Sequence, residues 1–239
     1  MRRFFAPVES FTEGGVTLDL DETRHLRDVL RLRVGDEVSI FDGTGHEFHC
    51  TVEDIGKNSS TLVVMEEIAP SSPESPFEIT VAATVMNGEK YDLIIQKAVE
   101  LGVTRLIPLN TIRCDVKLSD AEKRMDRWRR IALEATKQSG RATLMQIGEP
   151  AGFDGLISNL NGENAILFSE RDGQGFQAIT ADKKITAIFG PKGGWDDSEL
   201  RAAAKHGIAI VTLGGRILRA ETASIAITAI LQHRFGDLN

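Results

Sequence analysis

The stretch ITAIFGPKGGWDDSEL, residues 185–200, decides the fold. It begins with a short, mostly apolar run, passes through the glycine-rich sequence GPKGGW and ends in acidic residues. Gly193 and Gly194 permit a tight turn with positive φ. Asp196 and Glu199 have the spacing of a capping box, which begins a helix. The stretch therefore predicts a buried strand, a tight turn and a helix in succession.

Apolar runs and amphipathic helical stretches alternate along the rest of the second part of the chain. The runs are residues 79–85, 103–109, 144–147, 165–168, 185–189 and 208–213, and the helical stretches are residues 91–101, 120–139 and 221–235. Such runs are typical of strands that are buried on both faces. Repeated alternation of strands and helices predicts an α/β fold, with a parallel sheet covered by helices on both faces. Ligands of these sheets bind beyond the carboxyl ends of the strands.

The N-terminal part follows a different period. Polar and apolar residues alternate in residues 37–41, 47–52 and 60–64, with tight turns between them. This alternation predicts strands of a small β-barrel. Residues 23–30 are predicted to form its one helix, with Asp21 as the N-cap and with Leu26, Val29 and Leu30 on the apolar face.

A proline-rich segment separates the two patterns. Three prolines fall within residues 70–76, which disfavours helix and sheet and predicts a short spacer. We therefore expect a β-barrel domain at residues 1–70, a linker at residues 71–77 and an α/β domain at residues 78–239.

Composition limits the class of protein. The formal net charge is −7, but residues 1–70 hold 7 basic and 14 acidic side chains, so the rest of the chain is balanced. Residues 113–141 are rich in arginine and lysine, which indicates either a phosphate-binding patch or a solvated helix face. No apolar run reaches the roughly 18 residues of a membrane span and no signal peptide is recognisable, so a cytoplasmic protein is expected. Cys50 and Cys114 lack the spacing of a metal site, and no metal is expected.

Two loops are predicted at successive strand ends. We name GPKGGW, residues 190–195, the glycine turn, and LGGRILR, residues 213–219, the arginine loop. The apolar residues Ile217 and Leu218 lie between two arginines, where a plain surface turn has little use for them. Together the loops predict an apolar slot for a flat heterocycle such as adenine, with the arginines facing a polyanion. A purely structural role for the glycine turn is the alternative.

A third glycine motif suggests a different chemistry. GQGFQA, residues 173–178, matches the GxGxxA pattern of dinucleotide-binding turns. Residues 169–172 separate it from its strand, and the next strand lacks the acid that binds a ribose. A nucleotide-dependent oxidoreductase is therefore only a distant alternative.

The two loops resemble the C-terminal signatures of the RsmE family. GPKGGWDDSEL and LGGRILRAETA carry the resemblance, and residues 25–36, 96–103 and 127–141 are also similar, so it covers most of the chain. RsmE proteins are methyltransferases of the SPOUT superfamily that modify N3 of uridine 1498 in 16S ribosomal RNA. The resemblance implies a trefoil-knotted SPOUT domain, a preceding PUA-like RNA-binding barrel and S-adenosylmethionine (SAM) held in the knot. It also implies a homodimer. The expected partner is 16S ribosomal RNA in the assembled small subunit, and free RNA is the alternative.

The resemblance and the chemistry of the loops together single out candidate site residues. The cofactor residues are Leu167, Gly190, Pro191, Gly193, Gly194, Leu213, Gly214, Ile217, Leu218 and Ala223. The RNA-binding residues are Arg24, His25, Arg27, Arg31, Arg113, Arg130, Gln138 and Arg141, of which the last three share one helix face with Glu134. We expect Arg219 to stabilise the uracil anion, although a contact with phosphate or a helix end is the alternative. Glu134 is a candidate base, and pairing with Arg130 is its alternative.

The chain departs from the family pattern at three positions. The family usually has Glu where this chain has Lys192, and commonly Phe where it has Trp195. It also often has Lys near the position of Asn87. The glycines remain, which preserves a backbone-lined cofactor slot, whereas Lys192 receives no catalytic role. A catalytically silent RNA-binding or ribosome-associated protein of the same fold is the alternative function.

Overall fold

The computed structural model describes residues 2–160 and 164–238. The chain divides into two compact units. The first comprises Met1–Glu74 and Thr136–Leu144, and the second comprises Ser75–Ala135 and Met145–Asn239. A segment from the middle of the chain therefore completes the first unit, whereas the boundaries predicted from the sequence assign it to the second domain.

A six-stranded sheet forms the frame of the first unit. Its strands are β1 (Arg3–Phe5), β2 (Phe11–Thr12), β3 (Gly15–Leu18), β4 (Glu37–Phe41), β5 (Glu47–Ile55) and β6 (Ser60–Ile68). Their order is β1-β4-β5-β6-β3-β2, and every pair is antiparallel except β1 with β4. The sheet is a curled half-barrel, and it does not close into a full barrel because β1 and β2 are the two ends of this order. Phe4, Leu18, Ile40 and Leu62 are buried in its core.

The helix of the first unit begins earlier than the sequence predicts. α1 (Leu20–Arg24) is capped by Asp19, which has an extended backbone and whose carboxylate accepts a hydrogen bond from the amide of Glu22 at 2.9 Å. The prediction of Asp21 as the N-cap is wrong, because Asp21 already lies inside the first turn. An N-cap residue must precede the helical backbone.

The same helix then widens into a π-turn, His25–Val29. The amide of Leu30 bonds to the carbonyl of His25, one residue further back than in an α-helix. The wider turn changes the direction of the side chains that follow. Leu26 is buried as predicted, but Val29, predicted on the apolar face, is 68% exposed.

Arg3 explains why Thr136–Leu144 belongs to the first unit. Its guanidinium donates to the backbone carbonyls of Lys137 and Arg141, at 2.9 Å each. The same group pairs with the carboxylate of Glu47 at 2.9 Å. These contacts join residues that are far apart along the chain, so local sequence patterns do not reveal them.

A parallel sheet forms the second unit. Its strands are β7 (Glu78–Thr84), β8 (Arg105–Asn110), β9 (Gln146–Ile147), β10 (Ala151–Gly152), β11 (Ala165–Phe168), β12 (Gln174–Gly175), β13 (Lys184–Phe189) and β14 (Ala209–Thr212). The order is β10-β8-β7-β13-β11-β14-β12, and β9 pairs with β8. Every pair is parallel. Each predicted run contains a strand, although residues 144–147 contribute only the short β9.

Helices cover both faces of this sheet. They are α2 (Glu89–Glu100), α3 (Leu118–Glu122), α4 (Met125–Ser139), α5 (Phe153–Asn159), α6 (Asp197–Lys205) and α7 (Ala220–Phe235). Val81 packs in a core that includes side chains of α2, α4 and α7, while its neighbour Ala82 packs in a second core with α5 and α6. The predicted α/β fold with helices on both faces is therefore confirmed. The predicted helix at residues 120–139 is instead two helices, α3 and α4, and Trp128 of α4 is buried.

Candidate functional site

Three neighbouring strands end together and surround one cavity. β13 and β14 are the two neighbours of β11 in the parallel sheet, so their carboxyl ends meet at one edge. Residues 168–170, 189–195 and 212–220 each begin with the last residue of one of these strands, and they line a cavity of about 590 Å³ together with Ala223 and Ile227 of α7. The rule that ligands bind at the carboxyl ends of parallel strands is met here.

The glycine turn is held by the start of α6. The carboxylate of Asp196 accepts a bond from the amide of Ser198 at 3.0 Å, and Glu199 accepts one from the amide of Asp196 at 3.1 Å. The predicted capping box is therefore confirmed. Ser198 and, to a smaller extent, Arg113 hold the pKa of Asp196 below its ordinary value.

Trp195 joins the glycine turn to β11. The indole is 1% exposed, and its Nε1 donates to the carbonyl of Phe168 at 2.8 Å. A Cβ at Gly190 would lie 2.7 Å from the indole ring, so glycine is required for this close approach. A phenylalanine in place of Trp195 would fill much of the same space but would leave the carbonyl of Phe168 without the indole N–H as a donor.

Two arginines brace the glycine turn from outside. Arg113 donates to the carbonyl of Gly193 at 3.2 Å and pairs with Asp196 at 3.1 Å. Arg171 donates to the carbonyl of Trp195 at 3.0 Å. Arg113 was predicted to bind RNA, and the structure gives its guanidinium two partners in and beside the turn.

The arginine loop is much less constrained. Gly215 has a φ of +98°, and the apolar Ile217 is 84% exposed at the cavity. The loop leads into α7, whose first turn carries Glu221. Lys90 pairs with Glu221 at 3.1 Å. Burial opposes ionisation of Glu221, but its own backbone amide and Lys90 outweigh burial and lower its pKa.

The structure brings the predicted cofactor residues together, with one exception. Every one of them lines the cavity except Leu167, whose side chain is fully buried in the core beneath the sheet. Ser169 and Glu170, which follow β11, also line the cavity and were not predicted from the sequence. They could have been found by applying the strand-end rule to the run at residues 165–168, since β11 lies between the two strands already chosen.

The two predicted catalytic residues do not lie together. Arg219 is exposed and lines the cavity. Glu134 is exposed on α4 and does not line it. Glu170 is the one carboxylate among the described residues that line the cavity.

Of the four residues predicted to share one helix face, three lie on α4 and one does not. Arg130, Glu134 and Gln138 are exposed on α4. Arg141 lies beyond the last residue of this helix and therefore does not share its face, so that part of the prediction is wrong. The side chain of Arg141 is 4% exposed and pairs with Glu74 at 2.6 Å.

The RNA-binding candidates that precede the proline-rich segment lie on α1, on the π-turn that continues it and just after that turn. Arg24 and Arg31 are exposed, and His25 is half-buried. Arg27 pairs with Asp28 at 2.8 Å. The side chains of Arg24, His25 and Arg31 are therefore at least partly accessible to a ligand. The role of all four residues in RNA binding stays a prediction.

The alternative chemistries receive no support from the site. GQGFQA forms the short strand β12 and one 3-10 turn instead of a strand-to-helix phosphate loop, so the dinucleotide interpretation is wrong. A Cβ at Gly173 would lie 2.6 Å from the backbone of Thr212, which accounts for that glycine by packing. Among the described residues no cluster of three or more metal-ligating side chains occurs. None of the helices in residues 2–160 and 164–238 has the length and apolar character needed to span a bilayer.

Matches to protein-family models identify the class of protein. An RNA methyltransferase domain model matches residues 73–232, and an RNA methyltransferase PUA domain model matches residues 18–65. The parallel sheet with its cavity and the preceding half-barrel thus correspond to the two parts of an RNA methyltransferase.

Individual relatives give the family. Ribosomal RNA small subunit methyltransferase E of Bacillus subtilis is 30% identical over 96% of each chain, and that of Rickettsia conorii is 34% identical over 88% of this chain and 85% of the relative. The structure of the Neisseria gonorrhoeae enzyme of the same name, bound to S-adenosyl methionine, is 33% identical, with a TM-score of 0.91 and full coverage of both chains. A Legionella pneumophila structure with bound SAM is 29% identical, with a TM-score of 0.91 and 99% coverage of both. The chain belongs to the RsmE family.

Proposed function

We propose that this protein is a SAM-dependent methyltransferase that methylates N3 of uridine 1498 in 16S ribosomal RNA. The observation that carries the proposal is the cavity between the glycine turn and the arginine loop, in a fold whose Neisseria relative was solved with SAM bound. We further propose that it acts in the cytoplasm, on the assembled small subunit.

The cavity has the size and lining that SAM requires. Its volume of about 590 Å³ lies within the range of cofactor pockets, roughly 300–1,000 Å³. Phe168, Leu218 and Ile227 supply apolar walls, and the glycines of both loops expose backbone groups that can bind adenosine. The bound cofactor would supply an electrophilic methyl group on a positively charged sulfur.

The remaining chemistry falls to side chains at the cavity. Neutral uracil carries a proton on N3, so a base must remove it, a contribution of roughly 10²–10⁴ in rate. Glu134 does not line the cavity, and we therefore propose that the carboxylate of Glu170 accepts this proton. Arg219 then stabilises the negative charge that spreads onto the uracil carbonyl oxygens.

Mass mapping of ribosomal RNA tests the reaction and the site together. RNA from cells that lack the protein should be missing one N3-methyluridine, which the wild-type gene restores. Arg219→Ala should fail to restore it, while Lys184→Ala, a change at an exposed cation on the opposite end of β13, should succeed. Full modification without the protein would refute the proposed function, and full rescue by Arg219→Ala would refute the role of Arg219.

Calorimetry separates the enzyme from a silent RNA-binding protein of the same fold. Titration of SAM into the purified protein should give a saturable signal with a shallow dependence on salt. Absence of binding would favour the silent alternative.

We also propose that the protein is a homodimer. Ala223, Ala226 and Ala229 place small side chains along α7, which permits close packing against a second copy. Light scattering coupled to gel filtration should give twice the mass of one chain, and a monomeric mass would contradict this proposal.

A further inference from the structure

The charged side chains around the cavity are unequally paired. Three cations line it, namely Lys192 in the glycine turn and Arg216 and Arg219 in the arginine loop. All three side chains are exposed, and none of the three side chains makes a hydrogen bond or an ion pair with another residue in the described part of the chain. Arg219 acts only at longer range, on Glu221.

The acids that are near these cations in the sequence already have other partners. The ion pairs are Asp196 with Arg113 at 3.1 Å, Asp197 with Arg171 at 2.7 Å and Glu221 with Lys90 at 3.1 Å. Glu170, the carboxylate that lines the cavity, lies 3.7 Å from Arg171. Positive charge at the cavity is therefore left without a neutralising partner, although the whole chain carries a net charge of −7.

We propose that Lys192 and Arg216, one on each loop, bind backbone phosphates of the RNA on either side of the nucleotide that enters the cavity. This inference rests on the proposed function and assigns Lys192 a role in binding RNA. Arg219 remains available for the uracil base. The two cations form a rim, which we name the phosphate rim.

Phosphate is the ligand that this arrangement fits. A single-stranded RNA presents a regular row of negative charges, and each cation that meets one releases a condensed counterion, which makes binding favourable and dependent on salt. Such local patches let an acidic protein bind a polyanion, because the field near the site matters more than the net charge. Lys192 offers a point charge on a flexible stem, and Arg216 offers a planar fork that matches a phosphate.

The test measures RNA affinity against salt. Fluorescence anisotropy with a labelled oligouridylate should be recorded over a series of potassium chloride concentrations for wild type, Lys192→Ala, Arg216→Ala and the double variant. Loss of each cation should reduce the slope of log affinity against log salt by about 0.7 per phosphate contact. Lys184→Ala removes the same charge at the other end of β13, in an exposed position, and should keep the wild-type slope.

Charge reversal is a second test of the proposed contact between Lys192 and a backbone phosphate. Lys192→Glu should weaken binding more than Lys192→Ala at low salt, and the two should converge at high salt because screening removes the repulsion. The far-UV circular dichroism spectra and thermal unfolding midpoints of the same variants should match those of the wild type, which shows that they are folded.

The outcomes distinguish this inference from the proposed function. An unchanged slope in Lys192→Ala and Arg216→Ala, an equal loss in Lys184→Ala, or no oligouridylate binding by wild type would each overturn the phosphate rim. Failure of the wild type to bind SAM would instead overturn the proposed function.

Discussion

The glycine turn and the arginine loop line the same cavity but are held in opposite ways. The turn is fixed by the indole of Trp195, by Arg113 and by the capping box at Asp196. Residues 213–218 of the loop make no hydrogen bond with any part of residues 2–160 and 164–238, and Ile217 points an apolar side chain into solvent. One wall of the cavity is therefore preorganised and the other is not.

This difference has an energetic meaning for ligand binding. Ordering a free loop costs conformational entropy, so binding energy gained at the arginine loop is partly spent on fixing it. The glycine turn loses little further conformational entropy on binding, because its geometry is already fixed in the folded protein. We expect changes in the turn to affect stability and binding together, and changes in the loop to affect binding alone.

The largest effect is expected when the anchor of the turn is removed. Trp195→Ala deletes a buried indole, which should lower the free energy of unfolding by about 3–5 kcal/mol. Trp195→Phe keeps most of the ring packing but leaves the carbonyl of Phe168 unsatisfied, which should cost about 1–3 kcal/mol. Urea denaturation followed by circular dichroism measures both.

Trp128 provides the matched control for this prediction. It is equally buried but lies in the other core, against Tyr91. Trp128→Phe should lower stability without changing SAM affinity at a temperature where it is folded, whereas Trp195→Phe should lower both. Equal SAM affinities in the two variants would show that Trp195 does not shape the cavity.

The next effect concerns the carboxylate beside the turn. Glu170→Gln should lower the rate of methyl transfer roughly 100-fold, because general-base assistance is lost. Glu134→Gln should retain nearly the wild-type rate, since Glu134 does not line the cavity. Single-turnover assays with saturating SAM measure this, and the reverse order of the two variants would reinstate Glu134 as the base.

The contrast between the two loops was only partly predictable from the sequence. The strand-turn-helix order and the capping box at Asp196 follow from short-range patterns, and they placed the glycine turn at a strand end. The brace from Arg113 and the bond from Trp195 to Phe168 join residues far apart in the chain, so no local pattern signals them. Leu167 does not line the cavity, and the sequence could not show this because a continuous apolar run does not reveal which residue is the last one buried.

Matched glycine substitutions should distinguish the fixed wall from the free one. An alanine Cβ at Gly190 would lie 2.7 Å from the ring of Trp195, and such overpacking costs about 1–3 kcal/mol of stability. A Cβ at Gly214 would meet no atom within 4 Å, so Gly214→Ala should leave the free energy of unfolding within about 1 kcal/mol of wild type. Thermal unfolding compares the pair, and equal losses would mean that the arginine loop is as tightly packed as the turn.

A smaller effect is expected at the apolar tip of the arginine loop. Ile217 is 84% exposed, so Ile217→Ala should not change the unfolding midpoint. If the loop closes over the cofactor, the variant loses buried apolar surface in the complex, and SAM affinity should fall about tenfold. Calorimetry at constant temperature measures this, with Ile112→Ala, another exposed apolar change, as the control. Wild-type affinity in Ile217→Ala would show that the loop stays open when SAM binds.

The smallest effect is a pH dependence of the turn. The pKa of Asp196 is held below its ordinary value of 3.8, chiefly by hydrogen bonds from Ser198 and also by Arg113. A carboxyl group whose pKa is lower in the folded state stabilises the fold above its unfolded pKa, and this contribution is lost as pH falls through the folded value. The difference in unfolding midpoint between wild type and Asp196→Asn should therefore be constant from neutral pH down to about pH 5 and shrink as the pH falls below 3.8. A difference that persists at low pH would mean that the cap does not depend on the charge of Asp196.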